Sequence, residues 1–282
     1  MADWKPNIFE YMSYRAYLRD YYTRAKDNVA RFSFRKFSEL AGFKSSNFIK
    51  LVMDGNRNLG EESIDPLCDA MGLDRGQTRF FRNLVAFEQA ANLEERNAAY
   101  RRLSSSKHFI AARHIEHNMF EYLSAWYNPV IRELAGRADF EATPEWIAPR
   151  LLPPVSEEQV ERSLELLFAL GMLVRDEDGR VHRGEPSMMT GHEIGALAIG
   201  NYHRQMMERA VESILNVPHE HRDISALTVT VRQEQVAELK SRIHAFREQL
   251  LEYGAASEGG EVVYQLNIQL FPLSQQPKTE PS

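Results

Sequence analysis

Two glycines, Gly42 and Gly55, cut the chain between residues 33 and 60 into short pieces. Glycine adopts the left-handed backbone that stops a helix, so each marks a helix end. Before the first, Ser33 is placed to cap FRKFSELAG, where Phe34, Phe37 and Leu40 share one face. Between the two, KSSNFIKLVMD predicts a second short helix, starting near Lys44, capped by Ser45 or Ser46, with Phe48, Leu51 and Val52 inward. Small residues Ser38 and Ala41 let the two helices approach, so the second can sit rigidly on the first.

Three further helices complete this head. Ile8 to Asp27 carries Phe9, Met12, Tyr14, Tyr17, Leu18 and Tyr21 at three- and four-residue steps. After the polar connector GNRNLGEE, ESIDPLCDAMGL points Ile64, Leu67, Cys68 and Met71 inward, and DRGQTRFFRNLVAFEQA supplies a fifth helix. The pattern predicts a five-helix domain over residues 1–103, followed by the joint Ser104 to Lys107.

Residues 108–186 read as a helical and winged-helix-like domain. An aromatic-rich helical stretch runs from His108 to Leu134. A short helix around Trp146 follows, then a helix from Ser156 to Leu170 opened by the capping pattern Ser156-Glu157-Glu158-Gln159. Gly171, the strand MLVRD, the turn EDG and the strand RVHR then outline a wing. Residues 187–274 predict a C-terminal α+β domain for dimerisation or sensing: a helix from Gly191 to Leu215, the strand SALTVTV, a helix from Gln233 to Tyr253 and the strand VVYQLNIQLFPL. Residues 275–282 read as a disordered tail. The expected fold class is mainly α with a small β component.

Charge separates the head from the rest. The whole chain of 282 residues carries a net charge of -6. Residues 1–60 hold eleven Lys and Arg against six Asp and Glu, whereas the remainder holds 23 against 34. A basic head on an acidic body suits a polyanion at one end and discourages indiscriminate wrapping. One cysteine, Cys68, excludes a disulfide framework and a Cys-rich zinc finger. The absence of a long apolar run or signal-like start leads to the expectation of a cytoplasmic protein without membrane partners.

The segment FRKFSELAGFKSSNFIKLVMDGNRNLGEESIDPLCDAMGL resembles the Cro and phage-repressor class of helix-turn-helix domain over about residues 31 to 83. The resemblance implies that double-stranded DNA is the partner and that the second helix enters the major groove. Lys44, Ser45, Ser46, Asn47 and Lys50 are then the expected base-contacting residues. Arg35, Lys36 and Arg57 are the expected phosphate contacts. Ile49 departs from the class, standing where many members carry a polar base-contacting residue. The layout of the whole chain, most specifically VYQLNIQLFPLS, also resembles a paralogous family of predicted bacterial transcriptional regulators whose C-terminal domain has no assigned function. It implies regulation without naming a signal. A single short helix reads only a few base pairs, so a homodimer on two half-sites about one helical turn apart, or a multiple, is expected, and an unknown small-molecule or peptide effector is carried as a further partner.

Other readings stand beside this one. Glu157, Glu158, Glu161 and Glu165 would repel a duplex, which makes the winged segment architectural, although Arg175, Arg180 and Arg183 lie on the wing. A ligand- or peptide-sensing interaction module without specific DNA binding could use the aromatic residues Phe109, Phe120, Tyr122, Trp126 and Tyr127 as a pocket, or bury them as core. A metal-dependent enzyme is disfavoured: His114 and His117 are three apart and His219-Glu220-His221 cluster, yet the ligand count does not close. No catalytic residue, cofactor or metal ligand is expected, and Cys68 reads as packing.

Overall fold

Hydroxyl, amide and carboxylate side chains cap most of the helix starts. The structure, a computed structural model, describes residues 4–184, 192–255 and 259–275. The chain divides into two compact units, Met1–Ser124 with Ser187–Gly200 and Ala125–Pro186 with Asn201–Ser282.

In the first unit, Asn7 caps a single 3-10 turn, Ile8–Glu10. The Ser13 hydroxyl then accepts the Ala16 N–H and starts a separate helix, α1 (Tyr14–Asn28). This corrects the expectation of one helix from Ile8: a capping hydroxyl satisfies an N–H that the helix cannot, and so fixes a start. Ser33 caps α2 (Phe34–Leu40), and α3 (Phe48–Met53) and α4 (Glu61–Met71) follow. Asp74 and Gln77 form a reciprocal capping box on α5 (Arg75–Glu88). Asn92 caps α6 (Leu93–Ser104), and Ser106 caps α7 (Lys107–Ala112), which precedes α8 (His114–Ser124).

These helices share one aromatic-rich core. Tyr17 and Tyr21 of α1 meet Phe81 and Phe37 at ring separations of 6.1 and 5.5 Å. Ile49, Leu67, Leu84 and Leu103 fill the same interior. Phe109 and Phe120 are buried there as well, with Tyr100 4.1 Å from Phe120, so these two members of the aromatic stretch pack the core. Cys68 is fully buried, and burial pushes its thiol up to about 12, leaving it protonated at neutral pH.

In the second unit, α9 (Tyr127–Leu134) and the short α10 (Pro144–Ile147) pack beside α11 (Glu157–Ala169), which opens with the Ser156–Gln159 capping box. The buried Ser163 hydroxyl bonds the Asn128 side-chain oxygen at 2.6 Å, tying α11 to α9. Strands β1 (Leu173–Arg175) and β2 (Val181–Arg183) pair antiparallel, with Leu173 opposite Arg183. Gly179, at φ +81°, makes the turn between them. The helix α12 (His192–Asn216) contributes to both units, and α13 (Val236–Ala255) follows.

The fold is thus mainly helical with one two-stranded sheet among the described residues. The expected C-terminal strands are corrected. Residues 225–231 and 262–272 form no strand, and no backbone–backbone hydrogen bond involves them among the described residues. Their alternation fits a pleated surface, yet a strand also needs a neighbour to complete its ladder. The expected tail is described only at its first residue, Gln275; residues 276–282 lie outside the described residues. No described helix is long and apolar enough to cross a membrane.

Candidate nucleic-acid interface

The polar run ahead of α3 is assembled by the helices around it. After α2, Gly42 takes φ +70° and Phe43 N–H bonds the Ser38 carbonyl at 2.8 Å, reversing the chain. Ser38 is buried, and its hydroxyl donates to the Ser46 carbonyl at 3.3 Å, while Ala41 is also buried. The two small residues therefore lie where the turn folds back on α2. Phe43 packs edge-on against Phe48 at 4.7 Å.

Residues 44–47 precede α3 instead of forming its first turn, because neither Ser45 nor Ser46 caps it. Asn47 occupies the cap position without a side-chain cap bond. The inward face is also rotated from expectation. Ile49, Val52 and Met53 are buried, whereas Leu51 is exposed, as is Leu40 on α2. A one-residue shift turns a helix by about 100°. Ile49 is therefore a core residue at 1% exposure, which accounts for its apolar character where a base-contacting residue was expected.

Lys44, Ser45, Ser46, Asn47 and Lys50 are all exposed, and none of their side chains makes a hydrogen bond or ion pair among the described residues. Arg57 is brought back to the start of α3, its guanidinium 5.4 Å from the Phe48 ring centre. Arg35 and Lys36 are exposed on the first turn of α2, with Arg35 paired to Glu39 at 3.1 Å. No hydrogen bond or ion pair joins these two to residues 44–50 among the described residues.

What holds α3 in place was not legible in the spacing of the sequence. A helix end leaves its last four carbonyls without intrahelical partners. Here Lys50 and Leu51 carbonyls accept from Asp54 and from Asn56 and Arg57 N–H groups. The Val52 carbonyl accepts from Gly55 N–H and from Arg15 Nε at 3.0 Å, and the Met53 carbonyl from Arg19 at 2.6 Å. Two arginines of α1 thus close the C-terminus of α3, where positive charge is favoured. Arg15 also pairs with Glu88 at 2.6 Å and bonds Asn58 at 2.8 Å. Gln89 clips both backbone groups of Leu59, and Tyr14 donates its hydroxyl to the same amide at 2.7 Å. Burial pushes the Tyr14 phenol up to about 12. The only advance signal was that Arg15 and Arg19 lie four apart on one helix face.

The wing differs. Arg183 pairs with Glu133 at 2.7 Å, and Arg175 bonds the Gly179 carbonyl while lying over Phe168. Glu157, Glu158, Glu161 and Glu165 are exposed along α11.

The family described as Domain of unknown function (DUF4423) matches residues 106–273, which lie beyond the polar run at 44–57. No curated protein and no solved structure matches the chain. The matched span covers more than half of the sequence, and the chain belongs to the DUF4423 family.

Proposed function

We propose that the chain is a DNA-binding transcriptional regulator, acting in the cytoplasm, whose head reads an operator through a Cro-type helix-turn-helix made by α2, the Gly42 turn and α3. The observation that carries this reading is the exposed run Lys44, Ser45, Ser46, Asn47 and Lys50. Its side chains have no partner within the described residues, yet the Ser38 hydroxyl holds its backbone at Ser46, and Arg15 and Arg19 hold the end of α3 at the Val52 and Met53 carbonyls. Donors held on a rigid scaffold lose little entropy on binding, so their hydrogen bonds go into recognition.

Within this reading, the lysines meet phosphate or guanine acceptors, the serines act at short range, and Asn47 pairs with adenine. Arg57, Arg35 and Lys36 contact phosphate, with Arg35 exchanging Glu39 for the backbone. The wing is architectural, since its Arg175 and Arg183 are engaged internally and α11 presents carboxylates. A six-residue helix reads few bases, so a homodimer on half-sites about 34 Å apart, or a multiple, is required for specificity. The sensing or interaction alternative is favoured by the apolar surface of the C-terminal third, which suits a protein or small-molecule effector.

Selection from random duplexes with the full chain separates the two. The regulator reading expects an enriched motif of two repeated half-sites, absent when Lys44→Glu and Lys50→Glu are combined in a folded protein. No enrichment at low salt removes the regulator reading and leaves the interaction module.

A further inference from the structure

The C-terminal third leaves uncovered a surface that a chain working alone would bury. Residues 224–231 (ISALTVTV) and 262–273 (VVYQLNIQLFPL) contain no charged residue. Both alternate, with Leu227, Val229 and Val231 on one side of the first and Val262, Tyr264, Leu266, Ile268 and Leu270 on one side of the second. All of these side chains are exposed, Leu227 to 84%. Neither segment makes a backbone-to-backbone hydrogen bond among the described residues. The second is nevertheless positioned: Asn267 bonds the Met206 carbonyl at 2.8 Å, and Tyr202 bonds Gln265 at 3.2 Å.

Between the segments, α13 places Val236, Leu239, Ile243, Phe246 and Leu250 at alternating three- and four-residue steps, which is one apolar seam. The first three are half-buried and the last two exposed. Met207, Val211 and Ile214 form a similar exposed stripe on α12. Together these side chains present on the order of 1,000 Å² of apolar surface per chain, above the ~800 Å² that each partner gives a standard interface.

We infer that a second copy of this chain covers this surface, the β-α-β unit of one copy interlocking with that of the other into a single sheet whose strands alternate between chains. Two observations select a second copy over a foreign protein. Uncharged, β-patterned edges are an aggregation hazard unless paired from synthesis, and an identical chain is the partner always present in step. The unit also supplies in pairs what it lacks: two strand-patterned segments without neighbours and one helix with a half-covered seam. A two-fold interface uses the same patch twice and closes all of them at once. In a split β-α-β unit, a strand from elsewhere lies between the two parallel strands, which accounts for their failure to pair within one chain. The inference rests on the C-terminal surface alone and gives the homodimer of the operator reading its contact.

Light scattering on the full chain, combined with hydrogen exchange, tests it. The expected mass is twice 32.5 kDa at micromolar concentration, with slow exchange of the amides of residues 225–231 and 262–271. Val229→Asp with Leu266→Asp should halve the mass and release those amides at least 100-fold faster, while protection of α1 and α5 stays unchanged as the control for folding. A monomer, a dimer whose 225–231 amides exchange freely, or a dimer that survives the double substitution overturns the inference. A dimer that meets every expectation but selects no DNA would remove only the operator reading.

Discussion

The two ends of this chain leave opposite kinds of surface uncovered. In the head, apolar side chains from α1 to α6 are buried together, and what remains outside around α3 is mainly polar and basic, with Leu40 and Leu51 the exposed apolar exceptions. In the C-terminal third, much of the uncovered surface is apolar and, along residues 224–231 and 262–273, without charge. A surface of exposed, unpartnered donors gains most from a charged, hydrogen-bonding ligand such as DNA. A surface of alternating valine, leucine and isoleucine gains most from another protein surface. The comparison assigns different partners to the two regions of one chain.

The largest effect that would sharpen this contrast comes from truncating the core. Phe81→Ala should lower the stability of the head by about 3–5 kcal/mol in urea unfolding, because it removes buried area and leaves a cavity. Leu227→Asp in the exposed segment should leave the unfolding of the head unmoved while weakening self-association. Equal destabilisation by both would erase the distinction.

Alkaline titration probes the same core. Burial raises the phenols of Tyr11, Tyr14, Tyr17 and Tyr21 above their usual value near 10, Tyr14 to about 12. The native state therefore holds protons that the unfolded chain releases, so stability falls as pH rises above about 10. Thermal unfolding between pH 8 and pH 11 should show this decline, and Tyr14→Phe should make it shallower. A flat profile would mean that these tyrosines are hydrated.

Arg15→Ala should cost about 2 kcal/mol, since it leaves the partly buried Glu88 without its cationic partner and the Val52 carbonyl with one fewer donor. It should also weaken DNA binding without removing any side chain of the polar run. Unchanged affinity in a destabilised protein would separate the brace from the reading surface. The smallest effect is that of Ser33→Ala, about 1 kcal/mol of lost capping, read by thermal unfolding, with binding intact once folded.

Local chemistry made much of this fold legible in advance. Ser33 and Ser156 cap as their spacing predicts, Gly42 and Gly55 take the left-handed turns, and Glu177-Asp178-Gly179 closes the hairpin. The start of α3 was misplaced because Ser45 and Ser46 have the right chemistry for a cap but the chain turns once more before the helix begins. In a helix of under two turns, that offset exchanged Ile49 for Leu51 on the buried face. The brace formed by Arg15, Arg19, Glu88 and Gln89 was hidden because it joins residues thirty or more positions apart, which no periodicity encodes. The C-terminal strands show the same limit. Alternation identifies a segment fit for a sheet, and pairing belongs to whatever lies beside it.

The central claim is that the run at residues 44–50 meets a polyanion. Fluorescence anisotropy of a labelled duplex enriched by the selection, titrated with the full chain at increasing salt, tests it directly. The account predicts that the logarithm of affinity falls linearly with that of salt concentration, and that Lys44→Glu with Lys50→Glu weakens binding at least tenfold and flattens the slope by about two. Equal affinity of the two proteins, or no binding by the wild type at low salt, would contradict it.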